Sequence, residues 1–277
     1  MEFGTFLRQV DEVVAAKDAK NLADAFATYK KLGLSFVDVD SEEMTAKGKP
    51  AKELYKELQD YGIRVGSVFC WKPFPHEDEN ILKTMREYTK TQLDYVAALD
   101  CKIYMPVPFV GTAHKTPQDR QACQDKVIAY VNDVVELAKP YGIQVVMENY
   151  STVTCPFATT TDIEYIMSQM PDVQYVLDCG NFWFNGSDVL DAADRFRDKI
   201  AHVHLKDIVT NPTGALQIDG RAGDCVAIGA GEIPFDKIFA LLKQIGYDKT
   251  MTIEINDADG MYEKTKASLE FLQQAVK

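Results

Sequence analysis

Four short segments carry residues that belong in a reaction rather than in a wall. They are VVMENY with Glu148, YVLDCGN with Asp178, HVHLKD with His204 and TIEIND with Glu254. Each polar residue follows an apolar run of the kind that forms a buried strand. In a strand, alternate side chains share a face, so Val146 points with Glu148, Val176 with Asp178, His202 with His204 and Thr252 with Glu254. Burying three carboxylates unpaired is costly because each loses its hydration. One divalent cation compensates all three together. Carboxylate oxygens plus one imidazole suit Mn²⁺ best, with Mg²⁺, Co²⁺ or Zn²⁺ also compatible. Taken singly, each residue also has a plainer use. Asp178 can cap a turn, Glu148 or Glu254 can pair with Lys206 or Arg221, and His204 can be a packed core histidine.

Other side chains are candidates for holding a substrate. Lys206 lies two residues after His204 and can grip a substrate oxygen or pair with Asp207 or a carboxylate ligand. Arg221 sits in a long connection and can reach a hydroxylated or anionic molecule, or remain in solvent. Trp71, Phe109 and Trp183 follow strand ends and can wall an apolar sugar face or pack in a lid. His114 is a candidate acid/base or substrate contact in the connection after the fourth strand. His202 is expected one layer deeper than His204, packed and hydrogen-bonded.

The elements that position these residues repeat along the chain. A helical pattern ends at a glycine and a β-branched run begins at once, around Gly33, Gly62, Gly142 and Gly246. Glycine there accepts the left-handed conformation that stops a helix. The Val/Ile-rich run after it suits a strand buried on both faces. Val127, Val131, Val134 and Ala138 fall on one helical face, as do Ile238, Leu241, Leu242 and Ile245. Strands are predicted near 2–6, 35–39, 64–69, 102–106, 143–148, 174–178, 200–205 and 250–255, with helices between them. Eightfold alternation predicts an α/β protein, a closed (β/α)8 barrel spanning 1–277 as a single domain. An open doubly wound sheet fits less well, because no glycine-rich phosphate loop follows the first strand. The connection from about 208 to 232 falls on the catalytic side of such a barrel, where long loops act as lids.

The 277 residues suffice for one such barrel, and 46% of them are hydrophobic. A net charge of −12 and a pI near 4.8 oppose nucleic-acid binding, which needs a basic stripe. No apolar run is long enough for a membrane span. The N-terminus lacks the pattern of a signal peptide, and six scattered cysteines without a CxxC pair read as reduced thiols. A cytoplasmic protein is expected.

The order E…DxxN…HxHxKD…GxGEIPF…IEI resembles the xylose isomerase-like sugar phosphate isomerase/epimerase superfamily over essentially the whole chain. HVHLKD and AIGAGEIPF are the most specific segments. The resemblance implies one divalent metal on Glu148, Asp178, His204 and Glu254, with Glu148 and Glu254 also serving as the acid/base pair. It further implies a small sugar as substrate and, in many relatives, a homo-oligomer. Proton transfer through an enediolate would give an epimer or an aldose–ketose isomer. Loss of a β-hydroxyl from the same enediolate would make the enzyme a dehydratase of a cyclic keto-polyol, of the inosose or dehydroshikimate type. Many relatives carry a second histidine three residues after the aspartate. Here Asn181 stands in that place; it can hydrogen-bond a hydroxyl but cannot carry a proton near neutral pH. The endonuclease IV type of the same fold needs further histidines after the third and fourth strands, and VFCWKPF and MPVPFVG lack them. A sugar-binding barrel without catalysis would not need the paired glutamates.

Overall fold

The computed structural model describes residues 1–73, 79–109, 116–257 and 259–276. In chain order the strands are β1 (Glu2–Phe6), β2 (Leu34–Asp40), β3 (Arg64–Pro73), β4 (Ile103–Phe109), β5 (Gln144–Glu148) and β6 (Gln174–Asp178). They continue with β7 (Ile200–Leu205), β8 (Asp207–Thr210), β9 (Leu216–Ile218), β10 (Arg221–Val226) and β11 (Thr250–Ile253). Strands β1 to β7 and β11 close into a parallel barrel in the order β1-β11-β7-β6-β5-β4-β3-β2. These are the eight expected strands, so the (β/α)8 barrel is the fold. Glycines 33, 62, 142 and 246 stand at the predicted helix ends, with φ of 94°, 65°, 62° and 72°.

Helices surround the barrel because their apolar stripes have the strands to pack against. In the helix Pro117–Ala138, Val127, Val131, Val134 and Ala138 are all buried. Each valine removed from water contributes roughly 1.5–2 kcal/mol. In the helix Phe235–Gln244, Ile238 and Leu242 are buried, whereas Leu241 and the adjoining Ile245 are half-buried at its margin. A second, separate cluster fills the barrel interior, with Phe6, Phe69, Met105, Val107, Val146, Val176 and Ala201 drawn from strand after strand. All six cysteines are free and buried. Among the described residues no helix is long and apolar enough to cross a membrane.

The long connection is more ordered than its sequence suggests. It forms a three-stranded antiparallel sheet in the order β8-β10-β9. Ile218 pairs with Arg221 across Asp219 and Gly220, which both have positive φ, 51° and 81°. Asp-Gly is the usual chemistry of a two-residue hairpin turn. The Asp219 carboxylate accepts the Val153 N–H at 2.5 Å and ties this hairpin to the segment after β5.

Candidate metal centre

Strands β5, β6, β7 and β11 are neighbours in the barrel, and each delivers one of the four residues at or just past its carboxyl end. Asp178 is in register with His204, and His204 with Thr252. Glu254 continues the pairing beyond β11, its N–H donating to the Leu205 carbonyl. One ligand atom from each of Glu148, Asp178, His204 and Glu254 lies within 4.8 Å of the others. A first-row cation bonded at about 2.0–2.2 Å spans roughly 4 Å between opposite ligands, so the quartet needs only slight contraction to hold one. The imidazole turns its Nδ1 to the carboxylates, 2.5 Å from Glu148 Oε1 and 3.6 Å from Glu254 Oε2. Two glutamates at one imidazole nitrogen, with Asp178 in the same cluster, form a donor set that fits a divalent cation.

Lys206 supplies positive charge at the same place. Its buried Nζ lies 3.0 Å from Asp178 Oδ2, 2.9 Å from Glu254 Oε1 and 3.0 Å from Asn181 Oδ1. Of the partners open to it in the sequence, it takes the two candidate-ligand carboxylates and not Asp207. Gly180 makes room for the lysine stem, since a Cβ there would stand 2.6 Å from Lys206 Cγ. Asp178 also caps the helix Cys179–Asn185, its Oδ1 accepting the Asn181 N–H at 2.8 Å. The plainer capping role therefore leaves Oδ2 of the same carboxylate turned to the quartet and to Lys206. The Asn181 side chain donates to the Asn149 carbonyl, and the Asn149 carboxamide in turn binds both backbone groups of Asp178.

Burial pushes the Asp178 carboxyl up to about 7 despite the lysine beside it. At Glu254 the desolvation is outweighed by Lys206 and then His204, which hold it down to about 2. Burial alone would lower His204, but Glu148 foremost, with Asp38 and Glu254, raises its proton affinity well above the ordinary value. The site therefore stores positive charge on His204 and Lys206, opposite the carboxylates.

Asp207 points the other way. It accepts N–H groups of Gly229, Gly231 and Ile233 at 2.8, 2.8 and 3.2 Å, which binds the end of HVHLKD to the AIGAGEIPF segment. A Cβ on Gly231 would lie 2.3 Å from Asp207 Oδ1, so the close approach requires glycine.

Above the quartet opens a cavity of about 410 Å³. Its lining includes Glu148, His204, Glu254, Lys206, Asn181 and Trp71, and an apolar wall of Phe6, Phe69, Met105 and Val107. Trp71 stands partly exposed at the rim, edge-on to Tyr150. Arg221 is not brought here. Its guanidinium donates to the Trp183 carbonyl and lies over the Trp183 ring, and both residues line a second cavity with Glu232. His114 lies outside the described residues, as does the side chain of Phe109. His202 is buried and hydrogen-bonded as expected.

Three participants were not among the candidates named from the sequence. Arg8 and Asn256 line the cavity, and Arg8 donates to Asn256 (2.6 Å), which donates to Glu254 (2.9 Å). Both follow strand ends, the same signal that marks the quartet. The third, Asp38 in FVDVD, is an acid inside an apolar run of β2, which was a legible mark of a buried polar partner.

The chain as a whole is similar to known proteins. The family described as xylose isomerase-like TIM barrel matches residues 26–275. An inosose isomerase of Halalkalibacterium halodurans is 27% identical over 241 residues, covering 85% of this chain and 83% of that protein. An inosose dehydratase of Geobacillus kaustophilus is 24% identical over 267 residues, covering 88% and 84%. Among solved structures, the IolI protein with a bound zinc atom superposes with a TM-score of 0.78 at 19% identity, covering 100% of this chain and 98% of that one.

Proposed function

The chain belongs to the xylose isomerase-like TIM-barrel family, and from that premise we propose that it is a divalent-metal-dependent isomerase or epimerase of a small keto-sugar. One observation carries the reading. Glu148 and Glu254 flank the same imidazole nitrogen of His204 and both open to the cavity, so a substrate there lies between two carboxylates. A divalent cation on Glu148, Asp178, His204 and Glu254, Mn²⁺ by the oxygen-rich donor set, would supply Lewis-acid polarisation of a carbonyl.

The chain's own residues do the rest. One glutamate, ionised, takes the proton α to the carbonyl, and the other, protonated from solvent, gives up its own proton to the opposite face or the adjacent carbon. Lys206 and Asn181 lie at the cavity floor, placed to hold substrate oxygens while the enediolate exists. Trp71 covers the apolar side of the ring. The acidic charge of the chain disfavours a nucleic-acid substrate.

A second reading is a dehydratase of a cyclic keto-polyol. It is favoured by the likeness to an inosose dehydratase over 88% of the chain. Incubation of metal-loaded protein with ketoses and inososes in D2O separates the two. Deuterium on the α-carbon with the formula otherwise kept supports isomerisation or epimerisation. Loss of water with a new enone absorbance supports the dehydratase. If no candidate exchanges and purified protein binds no stoichiometric metal, the enzyme reading falls.

A further inference from the structure

His204 presents two nitrogens to two different surroundings. Nδ1 faces the carboxylates. Nε2 is buried and, among the described residues, has no hydrogen-bond partner. It lies 3.7 Å from Oδ2 of Asp38, which reaches it from β2 within the barrel. We propose that Asp38 is the positioning residue of the centre, accepting the Nε2–H of His204 so that an unprotonated Nδ1 is offered to the cation. This rests on the metal-centre reading above.

The surroundings of Asp38 support a fixed acceptor. The residue is fully buried. Its Oδ1 accepts the Ser67 N–H at 2.7 Å, and its Oδ2 accepts from Thr252 Oγ1 at 2.5 Å and lies 2.8 Å from His202 Nε2. His202 Nδ1 is 2.6 Å from Thr250 Oγ1, so that ring is pinned at both nitrogens. The His202 ring stands 89° to that of His204, with centroids 5.2 Å apart, and Phe6 contacts the other ring edge-on. The carboxylate therefore cannot swing away, and closing 3.7 Å to a normal hydrogen bond takes a shift of about 0.5–1 Å.

The charge of Asp38 argues for more than scaffolding. A buried carboxylate is costly to desolvate, and the Ser67 amide, the Thr252 hydroxyl and the His202 ring offset only part of that loss. A charge is useful where a neighbouring imidazole is polarised, as in the carboxylate–histidine–metal arrangement that sets tautomer and basicity. His202, Thr250 and Thr252 then serve to hold Asp38.

Zinc, which is diamagnetic, allows a direct test in the intact protein. Two-bond ¹H–¹⁵N correlation of histidine-labelled, Zn²⁺-loaded wild type should give His204 as the Nε2–H form with Nδ1 coordinated. Coordination through Nε2, or a proton on Nδ1, overturns the proposal. Calorimetric titration of Asp38→Asn should give Zn²⁺ affinity weaker by about 10–100-fold, with circular dichroism like that of wild type. Unchanged affinity in that folded variant also overturns it. Should the variant fail to fold, the wild-type tautomer decides alone. Wild type that binds no Zn²⁺, like a Glu148→Gln control, would instead overturn the metal centre itself.

Discussion

The ammonium of Lys206 lies 2.9 Å from Oε1 of Glu254, among the very atoms that would hold a cation. A metal bound there would share its carboxylates with the lysine, and each would weaken the other's hold by like-charge repulsion. At 4 Å that repulsion is about 4 kcal/mol per unit charge in a partly screened site. Lys206→Met should tighten divalent-metal affinity about tenfold or more, measured by calorimetry. The metal-free variant should lose roughly 3–5 kcal/mol of stability in denaturant, because Asp178 and Glu254 are left buried without their cation. Metal addition should restore most of that loss, while turnover falls.

Glu148→Gln and Glu254→Gln should each lower kcat by about 10²–10⁴ on a substrate that wild type converts. Solvent-deuterium exchange sorts their roles. The variant lacking the abstracting base should lose exchange entirely. Equal residual exchange in both would show that neither is the sole base.

Metal affinity should climb with pH. The raised proton affinity of His204 and the Asp178 carboxyl near 7 mean that the metal-free site holds protons which a cation must displace. For folding without metal, the His204 proton stabilises fully below the unfolded value near 6.5. That contribution is lost as pH rises through the higher folded value. Glu254 acts in the opposite sense: its depressed value gives stability above about 4.5 that is lost as pH falls towards about 2. Titrations at pH 6, 7 and 8 should show monotonically tighter binding, and a flat profile would contradict the displacement.

Asp207→Ala should cost at least about 2 kcal/mol, since the N–H groups of Gly229, Gly231 and Ile233 lose their acceptor. Gly231→Ala should cost about 1–3 kcal/mol by overpacking against the same carboxylate. Urea denaturation measures both.

Arg221→Ala should leave kcat/KM within about threefold, because the guanidinium serves Trp183 and a cavity apart from the quartet. A drop comparable with that of Lys206→Met would place Arg221 at the substrate after all.

The barrel was readable because its signals are local. A glycine closes each of four helices and an apolar run follows, so periodicity alone locates β2, β3, β5 and β11. The quartet was readable because a charged residue at the end of an apolar run is anomalous wherever it stands. What pairs with what was not readable. Asp38 meets His202 across 164 residues of sequence, and only the closed barrel brings β2 and β7 side chains to one point. The choice of Asp178 and Glu254 over Asp207 by Lys206 depends on which way two consecutive residues face as the strand ends. The sheet β8-β10-β9 was hidden by the shortness of β9, three residues, although Asp219-Gly220 announced its turn.

The four candidate ligands all come from the contiguous strands β5, β6, β7 and β11, while Phe6, Phe69, Trp71, Met105 and Val107 of the cavity come from β1, β3 and β4. The barrel is thus divided along its axis into a reactive half and a shaping half. Substitutions at the apolar positions of the shaping half leave the charges of the other untouched, so a lineage can exchange one substrate for another without rebuilding its chemistry. Libraries confined to positions 69, 71, 105 and 107 exploit that division directly.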